Sequence, residues 1–356
     1  MDILGIETSC DETAAAIVRD GREVVTNVVY TQIPLHRPYG GVVPEIASRA
    51  HVEKIGEVVK AAMTNPVDAI AVTYGPGLSP ALLVGLNAAK GLARALGVPL
   101  LGINHIEAHL HTPFLVDKGD SGSPQAPAPE DAVPALGLAI SGGHTAWIDM
   151  PTYGEYSIVG QTLDDAAGEA FDKAAKLLGL GYPGGPVVDK MSKEYLSVAG
   201  LSDLVPFPKG RPREGVSALA GLPAELCVSF SGLKTALLRH VQGEGGAEAI
   251  AAAGGTARLV ASYQEAIVQA VAGRTRTALR RSRYRSLVVG GGVSLNSRLR
   301  AVLAEVAEEA GVRLMLAKPR YCGDNGAMIA GLAFFRRETA PDAAALDVCP
   351  GLEVGK

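Results

Sequence analysis

The stretch Asn104-His-Ile-Glu-Ala-His-Leu-His111 follows directly on the apolar run at residues 98–103. The apolar run predicts a buried strand, and Asn104 predicts the N-cap of a helix that begins where the strand ends. In that helix His105 and His109 are spaced i, i+4, so both imidazoles project from one face. Neutral imidazole is the commonest metal ligand in proteins, and this spacing allows two rings to bind one divalent ion. The same spacing also fits two solvated histidines at a polar helix start.

Two more side chains of this stretch have predicted roles. Glu107 stands three residues after Asn104, and the pair resembles a capping box. His111 lies off the face that carries the other two histidines, so it is not expected to be a third ligand. The third ligand of a metal site must therefore come from another part of the chain.

Two segments of the chain share one plan. Residues 3–18 and residues 135–150 each read as a strand, a short turn of small and polar residues, and a return strand. The first turn contains Asp11 and Glu12, and the second is Ser141-Gly-Gly-His-Thr145. Such turns present N–H and hydroxyl groups to a phosphate, and glycine lets the backbone come close to it, although ordinary hairpins share the pattern. The repeat predicts two halves of the same topology that face each other across a cleft.

Strands alternate with helices between and after these hairpins, which predicts an α/β fold with largely parallel pairing. Residues 44–62 and 81–95 are predicted helices on either side of a strand at 68–74. Gly290-Gly-Gly-Val-Ser-Leu-Asn296 joins a predicted strand to a predicted helix. Its glycines and the helix N-terminus favour contact with a nucleotide.

The composition bounds the class of protein. The chain has 356 residues, of which 47% are apolar and 20% charged, as expected for a globular protein with two domains. No apolar run predicts a membrane span, and the N-terminal residues do not predict a signal peptide. The isolated cysteines (Cys10, Cys227, Cys322 and Cys349) favour a reducing cytoplasm and argue against a zinc ribbon. The net charge of −4 gives no global sign of nucleic-acid binding.

Polar, proline-rich residues 117–134 predict a flexible linker or exposed loop and mark the best domain boundary. We expect one half from residues 1–116 together with about 322–337, and a second half from residues 135–321. Residues 338–356 have no periodicity and predict a mobile tail.

Three aspartates have two interpretations each. Asp324 precedes an apolar helix, so it is suited to cap that helix, and it is also a carboxylate that could complete the histidine pair. Asp172 stands four residues before Lys176, which fits a solvated ion pair, and Asp189 begins another amphipathic helix. Both of these also stand near glycine-rich turns.

Seven blocks of sequence occur in one order: His105-x-x-x-His109, Ser141-Gly-Gly-His-Thr145, Asp164-Asp-Ala-Ala-Gly-Glu-Ala-Phe-Asp172-Lys, Tyr182-Pro-Gly-Gly185, Ser231-Gly-Leu-Lys234, Gly290-Gly-Gly-Val-Ser-Leu-Asn296 and Cys322-Gly-Asp-Asn-Gly-Ala-Met-Ile-Ala330. This set resembles the bacterial tRNA N6-adenosine threonylcarbamoyltransferase family, formerly described as O-sialoglycoprotein endopeptidase. The resemblance covers residues 2 to about 337. The segment at 117–131, parts of 200–220 and the tail carry no family motif.

The resemblance implies an α/β fold of the actin/hexokinase/Hsp70 (ASKHA) type, with two RNase-H-like halves around a nucleotide cleft. It implies one divalent metal, iron or zinc (Fe2+ or Zn2+), bound by His105, His109 and Asp324. It also implies a set of positions that contact the phosphate, acyl group and adenosine of the donor substrate: Ala139, Ile140, Ser141, Gly142, Gly143, Asp172, Gly185, Asp189 and Asn296.

The implied reaction transfers the threonylcarbamoyl group from threonylcarbamoyl-AMP to N6 of the adenosine 3′ of the anticodon in ANN-decoding tRNAs. The products are t6A and AMP. Asp11 and Glu12 are the candidate bases for the amine proton. The family also implies a degenerate TsaB-type paralogue and a small TsaE-type ATPase as partners, a cytoplasmic location and no membrane. The arginine run at 274–285 is either a solvated helix face or a tRNA contact.

Other enzyme classes fit parts of the pattern. A metallopeptidase of the zincin type needs His-Glu-x-x-His, whereas Ile106 follows His105 here. A sugar kinase or ATPase shares the implied fold but has no role for the histidine pair. An ASKHA-fold carbamoyltransferase acting on a small molecule uses a related module, and its extra domains have no room in this chain.

Overall fold

A computed structural model describes residues 1–119, 127–212, 221–338 and 345–355. Its first sheet has six strands in the order β5-β4-β1-β2-β3-β6. The strands β1, β2 and β3 form an antiparallel meander, and β4 and β5 add to it in parallel on the β1 side. The strands are β1 (Asp2–Glu7), β2 (Glu12–Arg19), β3 (Glu23–Thr31), β4 (Ala69–Gly75), β5 (Leu100–Asn104) and β6 (Val116–Asp117).

The second sheet repeats this plan with five strands in the order β11-β10-β7-β8-β9. Its meander of three antiparallel strands is again extended by two parallel strands. The strands are β7 (Ala135–Ile140), β8 (Thr145–Met150), β9 (Ser157–Gln161), β10 (Ser286–Gly290) and β11 (Arg313–Leu316). The predicted repeat of strand, turn and strand is therefore confirmed in both sheets.

Thirteen α-helices connect and cover the sheets in the described part of the chain. The predicted helix at 44–62 is confirmed with the same bounds. The helices are α1 (Ile33–His36), α2 (Pro44–Ala62), α3 (Ser79–Leu96), α4 (His105–His111), α5 (Pro129–Ala132), α6 (Ala167–Leu177), α7 (Gly184–Ala199), α8 (Ser231–Gly243), α9 (Ala247–Ala252), α10 (Thr256–Leu279), α11 (Ser297–Ala310), α12 (Pro319–Cys322) and α13 (Gly326–Arg336).

The two sheets exchange a helix. Helix α4 follows β5 of the first sheet but packs against β7 and β10 of the second, and α13 follows β11 of the second sheet but packs against β1 and β2 of the first. The two helices also pack against each other. The two helices form a layer between the sheets. One apolar cluster lies between α13 and the first sheet, and another lies between α4 and the second sheet.

Glycines allow these two helices to approach the sheets closely. A Cβ built on Gly290 of β10 would overlap the backbone carbonyl of His109, and one built on Gly5 of β1 would overlap the carbonyl of Gly326. Only glycine fits where helix and strand backbones touch in this way, because any Cβ would push them apart.

The tail prediction needs correction for residues 345–355. Leu346 is buried in the first half, its carbonyl accepts a hydrogen bond from Lys90 Nζ at 2.6 Å, and the N–H of Cys349 donates to the carbonyl of Tyr74 at 2.7 Å. These residues therefore pack against the body of the protein. The sequence missed them because their partners lie more than 200 positions away in the chain.

The segment at 117–134 is anchored at its described ends. Asp117 lies in β6 and accepts a hydrogen bond from Lys318 Nζ at 2.8 Å, and Ala132 in α5 is buried. Residues 120–126, where the flexible linker was predicted, lie outside the described residues. Within the part of the chain that the structure covers, no helix has both the length and the apolar character needed to cross a membrane.

Replacing Gly290 by alanine is expected to lower the free energy of unfolding by about 1–3 kcal/mol, because the added methyl group overlaps the backbone of α4. The matched control is Gly273→Ala in α10, where a Cβ meets no atom within 4 Å, and there the change is expected to be neutral or stabilising by up to about 1 kcal/mol. Chemical denaturation followed by circular dichroism measures both. Equal stability of the two variants would contradict the close packing of α4 on β10.

Candidate functional site

One cavity of about 790 Å³ lies between the two halves, at the ends of β1, β7 and β10. The turn after β1, the turn after β7, the start of α7 and the segment after β10 all contribute to its wall. Its volume falls within the range of small-molecule and cofactor sites. The two hairpin turns that share one plan in sequence therefore meet on a single cavity.

The exchanged helices bring His105, His109 and Asp324 together beside this cavity. One potential ligand atom from each of the three residues lies within 4.8 Å of the others. The Oδ1 atom of Asp324 is 3.1 Å from Nε2 of His109 and 3.7 Å from Nε2 of His105. Both histidines are buried, and 17% of the Asp324 side chain is exposed, toward the cavity that it lines.

Neighbouring residues cap the two helices and leave these side chains available. Asn104 caps α4 as predicted, accepting hydrogen bonds from the N–H groups of Ile106 and Glu107. At α13 the cap is Asn325, whose side chain accepts from the N–H of Met328. Asp324 therefore has no capping role. The predicted capping box is wrong for Glu107, which turns toward the C-terminal tail and accepts from the N–H of Gly355 at 2.8 Å.

Glu7 orients His105, although no motif in the sequence singled out Glu7. Its carboxylate is fully buried and lies 3.0 Å from Nδ1 of His105, while Thr73 Oγ1 donates to it at 2.6 Å. Burial alone would lower the pKa of His105, but the carboxylates of Asp324 and Glu7 raise this pKa to about 9. The contact fixes a proton on Nδ1 and directs Nε2 toward Asp324. The sequence signal that could have identified Glu7 is its place at the end of an otherwise apolar strand.

The donor set fits a divalent metal. Both ring nitrogens of His109 are buried, Nδ1 has no hydrogen-bond partner among the described residues, and Nε2 has only the poorly aligned Asp324 carboxylate at 3.1 Å. This is costly unless another group binds them. Two imidazoles and one carboxylate, with coordination positions left open to a cavity, suit either Fe2+ or Zn2+. His111 takes no part, as expected, because its Nε2 contacts the carbonyl of Gly21 at 2.7 Å.

The first turn places Asp11 and Glu12 on the cavity wall. Burial, reinforced by the negative charges of Asp11 and Asp324, raises the pKa of Glu12 well above its usual value. Glu12 therefore keeps its proton to a higher pH than an ordinary glutamate, and its ionised form is a stronger base.

The second turn exposes Gly142 and Gly143 to the cavity, with no atom within 4 Å of a Cβ built on either residue. Ser141 also lines the cavity, and its hydroxyl accepts a hydrogen bond from the N–H of His144 at 3.2 Å. The structure does not bring Ala139 or Ile140 to the wall, because both side chains point from β7 into apolar clusters.

Asp172, Gly185, Asp189 and Asn296 line the opposite part of the cavity. Asp172 accepts from the N–H of Gly184 at 2.7 Å, so α7 begins at Gly184 rather than at Asp189. The carboxylate of Asp189 accepts from the N–H and the hydroxyl of Ser297 at the start of α11.

Asn296 caps α11, and its Nδ2 donates to Gln264 at 2.7 Å. Asp172, Asp189 and Asn296 thus fix the helix starts around the cavity. The ion pair with Lys176, one of the two interpretations of Asp172, does not occur among the contacts of the described residues, where Asp172 instead accepts from the N–H of Gly184.

The cavity wall also includes three basic residues to which the sequence assigned no role. His144 lies with its ring centre 6.5 Å from that of His105, and burial, with the two neighbouring histidines, lowers its pKa to about 4. Lys190 and Lys193 of α7 are exposed and line the same space. His144 belongs to the motif Ser141-Gly-Gly-His-Thr145, whereas nothing in the sequence pointed to a role for the two lysines other than their place on a helix.

The arginine run is divided by the structure. Arg274 is buried and donates to the carbonyls of Cys227, Lys209 and Gly210, so it has a structural role. Arg276 forms an ion pair with Glu309. The end of the run leads into the start of β10, whereas the cavity lies beyond the other end of that strand.

Replacing either His109 or Asp324 by alanine is expected to reduce the metal content below about one-tenth of the wild-type value, because two ligands rarely retain a divalent ion. Purified proteins loaded with Fe2+ or Zn2+ are measured by inductively coupled plasma mass spectrometry. His240→Ala in α8 is the matched control and should retain wild-type metal. Retention of stoichiometric metal by both site variants would contradict the assignment.

The Glu7→Gln variant is expected to bind metal about 10–100-fold more weakly, because His105 loses the carboxylate that orients it. Loss of this charge also lowers the proton affinity of His105, which favours metal binding. The net loss should therefore be smaller at neutral pH than above about pH 9, where protons no longer compete. Chelator competition at both pH values measures the effect, and unchanged affinity at high pH would exclude an orienting role.

Comparisons with known proteins agree with this geometry. The family model of tRNA N6-adenosine threonylcarbamoyltransferase matches residues 23–331. Curated proteins of that name from Anaeromyxobacter sp. (strain Fw109-5) and Anaeromyxobacter dehalogenans (strain 2CP-C) are 51% and 50% identical to this chain. The matches cover 96% and 92% of this chain and the same shares of the two relatives.

Among solved structures, component A of the (R)-2-hydroxyglutaryl-CoA dehydratase of Acidaminococcus fermentans matches with a TM-score of 0.51 at 14% identity. The match covers 97% of this chain and 99% of that one. This likeness concerns the fold alone, and it confirms the predicted α/β fold of the ASKHA type. The extent and identity of the sequence matches show that the chain belongs to the tRNA N6-adenosine threonylcarbamoyltransferase family.

Proposed function

We propose that this chain transfers the threonylcarbamoyl group from threonylcarbamoyl-AMP to N6 of the adenosine 3′ of the anticodon in ANN-decoding tRNAs. The reaction forms t6A and releases AMP. The observation that carries the proposal is the single cavity on which the His105/His109/Asp324 group, the acidic first turn and the glycine-rich second turn converge. Membership of the family supports the same activity.

The acceptor amine sets the chemical problem. Its lone pair is delocalised into the purine, so it is a weak nucleophile and depends on positioning and on polarisation of the carbamoyl carbonyl. A divalent ion held by His105, His109 and Asp324 would supply Lewis-acid polarisation and orientation of the acyl group. The buried Glu7 keeps His105 in the tautomer that such binding needs.

The second turn is suited to the leaving nucleotide. Gly142 and Gly143 are open to the cavity and let their backbone approach a phosphate. On the wall formed by α6, α7 and the start of α11, we assign the adenosine of the donor to Asp172, Gly185, Asp189 and Asn296.

Proton removal from the amine is assigned to the first turn. Glu12 has a raised pKa and, with Asp11, faces the cavity. As the new carbon–nitrogen bond forms and the bond to the AMP phosphate breaks, the amine proton passes to this carboxylate while the phosphate leaves as AMP. The raised pKa suits proton acceptance at that moment.

We further propose partners and a location. A degenerate TsaB-type paralogue and a small TsaE-type ATPase would support turnover on tRNA. All four cysteines are free thiols, which is consistent with a reducing cytoplasm.

The test supplies threonylcarbamoyl-AMP labelled in its threonine part to unmodified tRNA and measures transfer of the label, with the partner proteins added or omitted. The expected result is label on the adenosine 3′ of the anticodon in ANN-decoding tRNAs and one AMP for each modified base. The matched control is a tRNA with guanosine at that position. No transfer under any combination of metal and partners would refute the proposed function.

Glu12→Gln is expected to lower kcat by about 10²–10⁴-fold with metal content unchanged, because the amine proton loses its acceptor. Asp11→Asn is measured alongside to decide which carboxylate serves. Single-turnover transfer separates this step from product release. If both variants keep near-wild-type rates, neither residue is the base.

A further inference from the structure

A chain of buried polar groups lies directly beneath the turn that carries Asp11 and Glu12. His51 of α2 places Nε2 3.0 Å from the carbonyl of Cys10, the residue that precedes Asp11. Its other nitrogen, Nδ1, lies 2.8 Å from Thr13 Oγ1 and 3.2 Å from Gln32 Nε2.

The chain continues from Gln32 to α1 and the start of α2. Gln32 Oε1 lies 3.2 Å from Nε2 of His36, and Nδ1 of His36 accepts from the N–H of Val43 at 3.3 Å. Thr13, Gln32, His36 and His51 are all fully buried. None of them lines the cavity.

Only one arrangement of protons satisfies every contact. A carbonyl oxygen can only accept, so Nε2 of His51 carries the proton and donates to Cys10. Nδ1 of His51 is then free to accept from Thr13 and from the Gln32 amide, whose oxygen accepts from Nε2 of His36. Burial lowers the pKa of His51 and of His36, so both are neutral, as this arrangement requires.

The chain acts on the turn at two points. His51 holds the carbonyl of Cys10, and the backbone N–H of Gln32 donates to the carbonyl of Asp11 at 2.9 Å. These are two successive carbonyls of the turn that presents Asp11 and Glu12 to the cavity. A buried, fully satisfied network of this kind specifies one conformation of the backbone that it contacts.

We propose that His51 is a positioning residue for the acyl transfer, which fixes the Cys10–Glu12 turn in the orientation that proton removal requires. This inference rests on the proposed function. Gln32 has a defined part in it, because its amide nitrogen can only donate and therefore keeps Nδ1 of His51 unprotonated, with the proton on the nitrogen that faces Cys10. The Thr13 hydroxyl adds a second donor to Nδ1. His51 does not touch the substrate.

The test compares three variants in steady-state transfer with tRNA and threonylcarbamoyl-AMP. His51→Leu removes all three hydrogen bonds of the His51 side chain and is expected to lower kcat about 10–100-fold, the usual cost of a displaced reacting group. His51→Gln keeps a donor and an acceptor at similar positions. Its decrease in log kcat should be at most half of the decrease seen in His51→Leu. Thr13→Val preserves shape but removes one of the two donors to Nδ1 of His51, and should lower kcat by about 3–10-fold.

Two measurements distinguish positioning from a general loss of structure. The metal content should stay within about twofold of wild type in all three variants, because none of the three metal-site residues contacts the network. The KM for tRNA should also stay within about twofold, because a positioning residue for the chemical step acts on kcat. Hydrogen exchange at residues 8–13 should accelerate about tenfold in His51→Leu, with exchange in α3 and α10 unchanged. His240→Leu on α8 is the matched control and should leave transfer and exchange unaltered.

Wild-type transfer rates in His51→Leu and Thr13→Val, or equal losses in His51→Gln and His51→Leu, would overturn the inference. If His51→Leu does not fold, the comparison of Thr13→Val with wild type decides. If wild-type protein shows no transfer, the proposed function fails, and exchange at residues 8–13 alone decides whether the network holds the turn.

Discussion

The structure depends on the packing of two exchanged helices between two sheets. Helix α4 leaves the first sheet to pack on the second, and α13 does the reverse. Their backbones touch strands at Gly290 and Gly5, where no side chain would fit. Because His105 and His109 lie on α4 and Asp324 lies next to the N-cap of α13, the site forms only when the two halves are packed together. Fold and site therefore depend on the same contacts.

Burial of charge is the second constraint. Glu7 and His105 are almost completely buried, and an unpaired charge there would be strongly destabilising. The structure pairs these groups in a row in which carboxylates and imidazoles alternate, in the order Glu7, His105, Asp324 and His109. The row runs from Glu7 at the end of β1, through the histidines of α4, which packs on the second sheet, to Asp324 before α13. Electrostatic pairing and helix exchange thus reinforce each other, and the row ends at the cavity where the chemistry is proposed.

The sequence was most informative where a local pattern determines structure. The bounds of α2, the cap at Asn104 and the repeated hairpins follow from periodicity, turn chemistry and self-similarity. Long-range partners could not be read in the same way. Glu107 has the spacing of a capping box, yet it contacts a tail about 250 positions away, and Asp172 caps a helix start rather than pairing with Lys176. Family motifs linked Asp324 to the histidines, whereas Glu7 lies outside every quoted block.

The most direct test of the account is an anomalous-scattering map from crystals loaded with Zn2+ and AMP. The account predicts one strong peak about 2.0–2.2 Å from a nitrogen of His105, a nitrogen of His109 and an oxygen of Asp324. It also predicts the AMP phosphate against Gly142 and Gly143, in the cavity shared by the two halves. An ion bound elsewhere, or AMP outside this cavity, would contradict the account.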